Sequence, residues 1–133
     1  MMIFFDTDTL SYSLTGNAVI CGKIQEALDD KHQICLTIIN VYEIIKGLRY
    51  KNNKNKELLL KKFITNVSVF SLDNNTIQKA ADIYADLRKK GVTIGDADIF
   101  IAAIVMTHNG KLITNNTRHY QNIDGLEIEN WNI

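Results

Sequence analysis

Short apolar runs rich in β-branched and aromatic residues punctuate the chain at 2–5 (MIFF), 34–39 (ICLTII), 67–72 (VSVFSL) and 112–114 (LIT). Each is too short for a helix and reads as a buried strand. Between them apolar positions recur every three or four residues, which predicts helices over 18–28, 41–50, 57–64, 76–90 and 97–108. In the fourth, Ile77, Ala80, Ala81, Tyr84 and Leu87 form the expected inward stripe, and Gly91 after Arg88, Lys89 and Lys90 is a stop signal. A last short strand is expected at 126–128. Strands that alternate with helices predict an α/β fold, a three-layer α/β/α sandwich around a central, mostly parallel sheet.

Composition narrows this picture. With 133 residues, 46% of them hydrophobic, the chain can enclose one core, and a single domain over 1–133 is expected. It has no proline, repeat or linker, and KNNKNK at 51–56 reads as a solvated turn between two helices. Fifteen basic and fifteen acidic side chains cancel, so no global field draws in a polyanion and any nucleic-acid contact must be local. No apolar run approaches the ~20 residues of a membrane span. Asp6 also interrupts the opening apolar stretch where a signal peptide would continue, so a cytoplasmic location and no membrane partner are expected. Cys21 and Cys35 lack the paired spacing of a zinc site and read as small buried residues.

The candidate chemistry lies in the acids. In a parallel α/β sheet the carboxyl ends of the strands and the amino ends of the following helices share one edge, where ligands bind. Asp6 ends the first strand and Asp8 follows; Glu43 falls in the first turn of the helix after ICLTII; Asp96 and Asp98 open the helix DADIFIAAIVM; Asn115 and Asn116 follow LIT. Asp98 shares a helix face with Ile101, Ala102 and Val105, whereas Asp96 is turned by about 200°. A helix running antiparallel to the next strand begins where that strand ends, so Asp98 and Asn116 should be neighbours. Carboxylates clustered against apolar walls are costly without a cation. Oxygen-only ligation favours Mg²⁺ or Mn²⁺ over zinc, and such an ion suits hydrolysis of a phosphodiester.

Structural readings stand beside these. Asp6 and Asp96 could be helix N-caps, Asn40 and Glu43 have the spacing of a capping box, and Asn115 and Asn116 could be turn residues. Asp98 alone has no evident protein partner. His108 reads as a charge partner for a helix C-terminus, and His119 and Tyr120 as surface packing or substrate contacts. Lys46, Arg49 and Lys51 are either phosphate contacts or a solvated helix face.

Taken together, FFDTDTLSY, INVYEIIKG, IGDADIFIAA and ITNNTRHY followed by GLEIENW resemble the motifs of the PIN-domain ribonucleases, especially the VapC-type toxins of toxin–antitoxin pairs. The resemblance covers almost the whole chain in the right order. It implies a homodimeric endoribonuclease dependent on Mg²⁺ or Mn²⁺ and inhibited by a small cognate antitoxin. It places Asp6, Glu43 and Asp98 as metal ligands and Thr114 and Asn116 near the metal, and it selects Asp98 over Asp96. Asn116 stands where many members carry a fourth aspartate, which implies one firmly held metal. Asp8, and with less weight Asp96, would then lie behind the ligands, and Lys46 and Arg49 beside the RNA.

Two rival readings remain at this stage. FFDTDTL also matches the DxDxT opening of haloacid dehalogenase-type phosphatases, with Asp6 as nucleophile and Asp8 as acid and base. No lysine stands out as the phosphate partner that chemistry requires, and the ending has no role in it. The other rival is a non-catalytic PIN-like RNA-binding domain, although a pure binder gains nothing from unpaired acids beside phosphates.

Overall fold

The computed structural model describes residues 1–132. Five strands, β1 (Met2–Phe5), β2 (Gln33–Thr37), β3 (Ser68–Phe70), β4 (Lys111–Ile113) and β5 (Glu127–Glu129), form one sheet in the order β3-β2-β1-β4-β5. Every pairing is parallel: Phe4 lies opposite Cys35 on one side and Leu112 on the other. The helices are α1 (Thr7–Leu14), α2 (Ala18–Asp29), α3 (Ile38–Tyr50), α4 (Lys54–Ile64), α5 (Asn74–Lys89), α6 (Asp96–Thr107) and α7 (Thr117–Tyr120). The strand order reverses between β1 and β4, so the crevice beyond their carboxyl ends is the natural ligand position in this topology.

Two cores cover the faces of the sheet. Phe4, Leu112 and the apolar face of α6 belong to one, and Phe5, Ile113, Leu10, Leu36 and Trp131 to the other. Alternate residues of β1 thus serve opposite cores, as the period of a strand requires. The strands are buried from both sides, which explains why they read as continuous apolar runs. Gly110, at the entrance to β4, packs so tightly on the Phe4 ring that an added Cβ would stand 2.7 Å from it.

The predicted elements are present with shifted edges. ICLTII gives up its last two residues: Thr37 ends β2 and caps α3, its hydroxyl accepting from the Asn40 backbone N–H at 3.1 Å. The Asn40–Glu43 capping box is therefore not formed, and Glu43 lies in the second turn of α3. Lys54, Asn55 and Lys56 of the expected turn instead open α4 behind the N-cap Asn53. The stripe of α5 is rotated from the expected one: Thr76, Ala80, Ile83 and Leu87 are buried, while Ile77 and Tyr84 are exposed. Cys21 also departs from expectation, lying exposed on the outer face of α2, whereas Cys35 is buried and its thiol is pushed up to about 11 by that burial. His108 caps the C-terminus of α6, but its ring also packs on Phe70 with centroids 4.2 Å apart. The short helices α1 and α7 were not anticipated, and both carry side chains of the site.

Candidate active site

Backbone placement brings the acids together first. Asp6 leaves β1 with its N–H still bonded to the Ile113 carbonyl at 2.9 Å, and caps α1 by accepting from the Thr7 N–H at 2.9 Å. The cap reading and the site reading of Asp6 are thus compatible, since one carboxylate has oxygen lone pairs for both. Its other oxygen accepts from the hydroxyl of Thr114, the fully buried residue after β4, at 2.9 Å. The Thr114 hydroxyl in turn accepts from the Asn116 N–H at 2.9 Å.

Thr7 joins the second acid. Its hydroxyl donates to Glu43 Oε1 at 2.7 Å, so this one residue holds Asp6 through its backbone and Glu43 through its side chain. The hydroxyl has a single proton, which the Glu43 carboxylate takes. Asn40 is fully buried; its amide nitrogen donates to the Thr37 hydroxyl at 2.7 Å and to the Phe5 carbonyl at 3.2 Å, and its carbonyl accepts from the Thr7 N–H at 3.3 Å. The chain Thr37–Asn40–Thr7–Glu43 explains why a polar asparagine sits within the apolar base of α3.

The third acid has the partners that the sequence did not reveal. Asp98 Oδ2 lies 2.7 Å from His119 Nε2, and Asp98 Oδ1 accepts from the Tyr120 hydroxyl at 3.1 Å. Both partners come from α7, which Asn116 caps, so Asp98 meets this segment through His119 and Tyr120, while no hydrogen bond joins it to Asn116 among the described residues. Asp98 is half-buried beside the fully buried Ile101, Ala102 and Val105, whereas Asp96 is exposed. Asp96 occupies the first helical position, with Gly95 as the cap.

Burial and neighbouring charge act on two ionisable groups of the site. The Asp6 carboxyl is held above its ordinary value of 3.8, foremost by burial, against the Thr114 and Thr7 hydrogen bonds, with Asp98 and Asp8 adding repulsion. The Tyr120 hydroxyl is driven far up by burial and then by Asp6, Asp98 and Glu43, so it remains a protonated donor. Asp6 and Glu43 are linked through Thr7 at the carboxyl edge of β1 and β4, and Asp98 acts on Asp6 through space.

The other candidates lie outside this cluster. Asp8 is exposed in the first turn of α1 and reaches Asp6 only through space. Asn116 is exposed and makes no side-chain cap bond. Lys46 is exposed with its ammonium 5.1 Å from the centre of the Tyr42 ring. Arg49 is turned away to Glu57, donating through Nε and Nη2 at 3.1 and 3.0 Å. Thr7 and Thr37 were missed in the sequence, Asn40 was read only as a possible helix cap, and His119 and Tyr120 were given no definite role. The only signal for Thr7 was its place between Asp6 and Asp8 in FFDTDTL.

The donor chemistry fits a hard divalent cation. All the site ligands are oxygens, like charges crowd Asp6, and Asn115 Oδ1 is buried at the same edge without a hydrogen-bond partner among the described residues. As the side chains stand, no three Asp, Glu, His or Cys groups among the described residues already form a complete cation site.

The PIN domain family model matches residues 3–126. The chain belongs to the PIN-domain family. This PIN domain is 35% identical over 100 residues to "Ribonuclease VapC1" of Rickettsia felis, covering 72% of this chain and 75% of that protein. It is 28% identical over 133 residues to a "tRNA(fMet)-specific endonuclease VapC" of Salmonella typhimurium, covering 98% of each. Its fold superposes with a TM-score of 0.92 on the structure of VapBC2 from Rickettsia felis bound to a promoter DNA fragment, at 21% identity, covering 99% of this chain and 100% of that one. In this PIN domain the four resembling motifs supply β1 with α1, α3, α6, and β4 with α7, which are the elements that carry the cluster.

Proposed function

We propose that this PIN domain is the endoribonuclease toxin of a toxin–antitoxin pair, with 1–133 acting as one nuclease domain that hydrolyses RNA phosphodiester bonds with Mg²⁺ or Mn²⁺. The observation that carries this reading is the linkage of Asp6 to Glu43 through Thr7 at the carboxyl edge of β1 and β4, with Asp98 near enough to add to the burial that holds the Asp6 carboxyl above its ordinary value. These three carboxylates would hold the ion. When bound, such an ion supplies a water acidic enough to attack phosphorus and stabilises charge on the phosphoryl oxygens.

The chain's own groups prepare that chemistry. Thr7 fixes Glu43 and, with Thr114, holds both oxygens of Asp6, so the negative face of the site is set before RNA arrives. Asn116, with a neutral carbonyl, contributes less than an acid would in its position. Lys46, one turn after Glu43, and Lys51 at the end of α3 remain candidates for phosphate contacts, since Arg49 is engaged by Glu57.

The solved relatives are VapBC complexes, which supports a small cognate antitoxin that covers the carboxylate edge. We read the active species as a homodimer in the cytoplasm, where the RNA substrate is. The PIN match leaves the phosphatase reading without support, and Asp8, exposed on α1, is not arranged as an acid and base partner to Asp6.

The test is incubation of purified protein with total cellular RNA in Mg²⁺, in Mn²⁺ and in chelator. Discrete new 5′ ends bearing phosphate, opposite 3′-hydroxyls, are expected with either cation and not with chelator. Products ending in a 2′,3′-cyclic phosphate would contradict the metal-water chemistry. Binding of RNA without cleavage under any cation would instead favour a non-catalytic binder.

A further inference from the structure

The carboxylate of Asp98 is held differently from those of Asp6 and Glu43. It receives hydrogen bonds from two consecutive side chains of a four-residue helix, one on each oxygen: His119 on Oδ2 at 2.7 Å and Tyr120 on Oδ1 at 3.1 Å. One hydrogen bond leaves a carboxylate free to swing about its terminal torsion. A pair on different oxygens fixes its plane as well as its position. Because the carboxylate only accepts, His119 carries hydrogen on Nε2 in this contact.

The two donors are themselves braced. Tyr120 is 1% exposed, and its carbonyl accepts from the Ile123 N–H at 3.0 Å. The His119 ring stands edge-on to the Tyr120 ring with centroids 5.2 Å apart. A surface contact formed only for solubility would need neither a buried tyrosine nor a ring packed edge-on against it. Resting on the functional reading above, we infer that His119 and Tyr120 are positioning residues that set the Asp98 carboxylate in one orientation for ion capture, each oxygen keeping a lone pair for the cation.

Partners of this kind typically contribute 10–100-fold to metal affinity or activity when removed singly (about that range). Mn²⁺ uptake by the full chain, read from the electron paramagnetic resonance of the free ion, should therefore weaken by roughly 10–100-fold in His119→Ala and in Tyr120→Phe. His119→Gln, which restores an N–H donor at similar reach, should recover part of the loss. Tyr120→Phe keeps the buried ring, and thermal melting of each variant without Mn²⁺ separates damage to the fold from damage to the site. Folded variants whose Mn²⁺ affinity is unchanged, or tighter than that of the wild type, overturn the inference, the latter because it would make the two side chains competitors of the ion. A wild-type protein that takes up no Mn²⁺ and cuts no RNA overturns the functional reading itself, whereas one that does both while the variants match it sinks only the positioning role.

Discussion

Asp6→Asn is expected to abolish RNA cleavage while making the fold more stable at neutral pH. Asparagine caps a helix about as well as aspartate, so α1 keeps its cap. The site loses a negative oxygen, and the rate should fall by at least about a hundredfold, the upper end of what outer positions around a metal cost. Stability moves the other way because the Asp6 carboxyl is held above 3.8 in the folded protein, by burial and then by Asp98 and Asp8. Below 3.8 this carboxyl is protonated in folded and unfolded chains alike and its burial is cheap. As pH rises, the unfolded chain ionises first, and folded stability is lost until pH passes the raised folded value. Asparagine has no such loss. The melting temperature of the variant should therefore exceed that of the wild type at pH 7, with the gap closing as pH falls through 3.8. An active variant, or one less stable at pH 7, would contradict the account of this carboxylate. Excess Mn²⁺ should raise the melting temperature of the wild type more than that of the variant, since only a group that binds the ion in the folded state transmits its mass action.

Phe5→Ala should cost about 3–5 kcal/mol, a large part of the ~5–15 kcal/mol that holds such a domain together. Phe5 is fully buried at the end of β1, edge-on to Trp131 with centroids 5.6 Å apart and tilted against Phe63 at 6.4 Å. It is paired with Ile113 in the ladder immediately before Asp6 and Thr114 diverge into the site. No side chain can collapse readily into the space, because strands bound it on both sides and Trp131 is tied by its own N–H to Glu129 at 2.6 Å. Urea unfolding should show the midpoint fall with an unchanged slope. A loss below about 1 kcal/mol would mean that the C-terminal segment around Trp131 does not pack on β1 as described.

The sheet and most of its helices were legible because strand-length apolar runs and helical periodicity are local properties. The helix wheel put Asp98 on the face of Ile101, Ala102 and Val105, and these three are fully buried while Asp96 is exposed. Three kinds of feature were not legible. Thr37 ends a strand and starts a helix, and a β-branched residue within an apolar run carries no sign that its hydroxyl is the cap. Helix α1 lacks a strong apolar stripe, with Thr9, Leu10 and Leu14 its buried residues, so its periodicity is faint. The partners of Asp98 come from more than 20 residues away, at separations of 21 and 22, and only the fold brings α7 back over the start of α6. The rotated stripe of α5 has a related cause: Thr76 faces inward because its hydroxyl is bonded within the capping box with Asp73, which brings the neighbouring Ile77 and Tyr84 to the outer side.

The most direct test of the central claim is the rate of RNA cleavage measured against Mn²⁺ occupancy in one series, starting from chelator-treated protein, for the wild type and for Asp98→Asn. The account predicts no cleavage in chelator, a wild-type rate that rises with the fraction of protein carrying the ion, and a variant that stays near zero throughout. Cleavage that persists undiminished in chelator, or an Asp98→Asn protein as fast as the wild type at equal Mn²⁺, would contradict it.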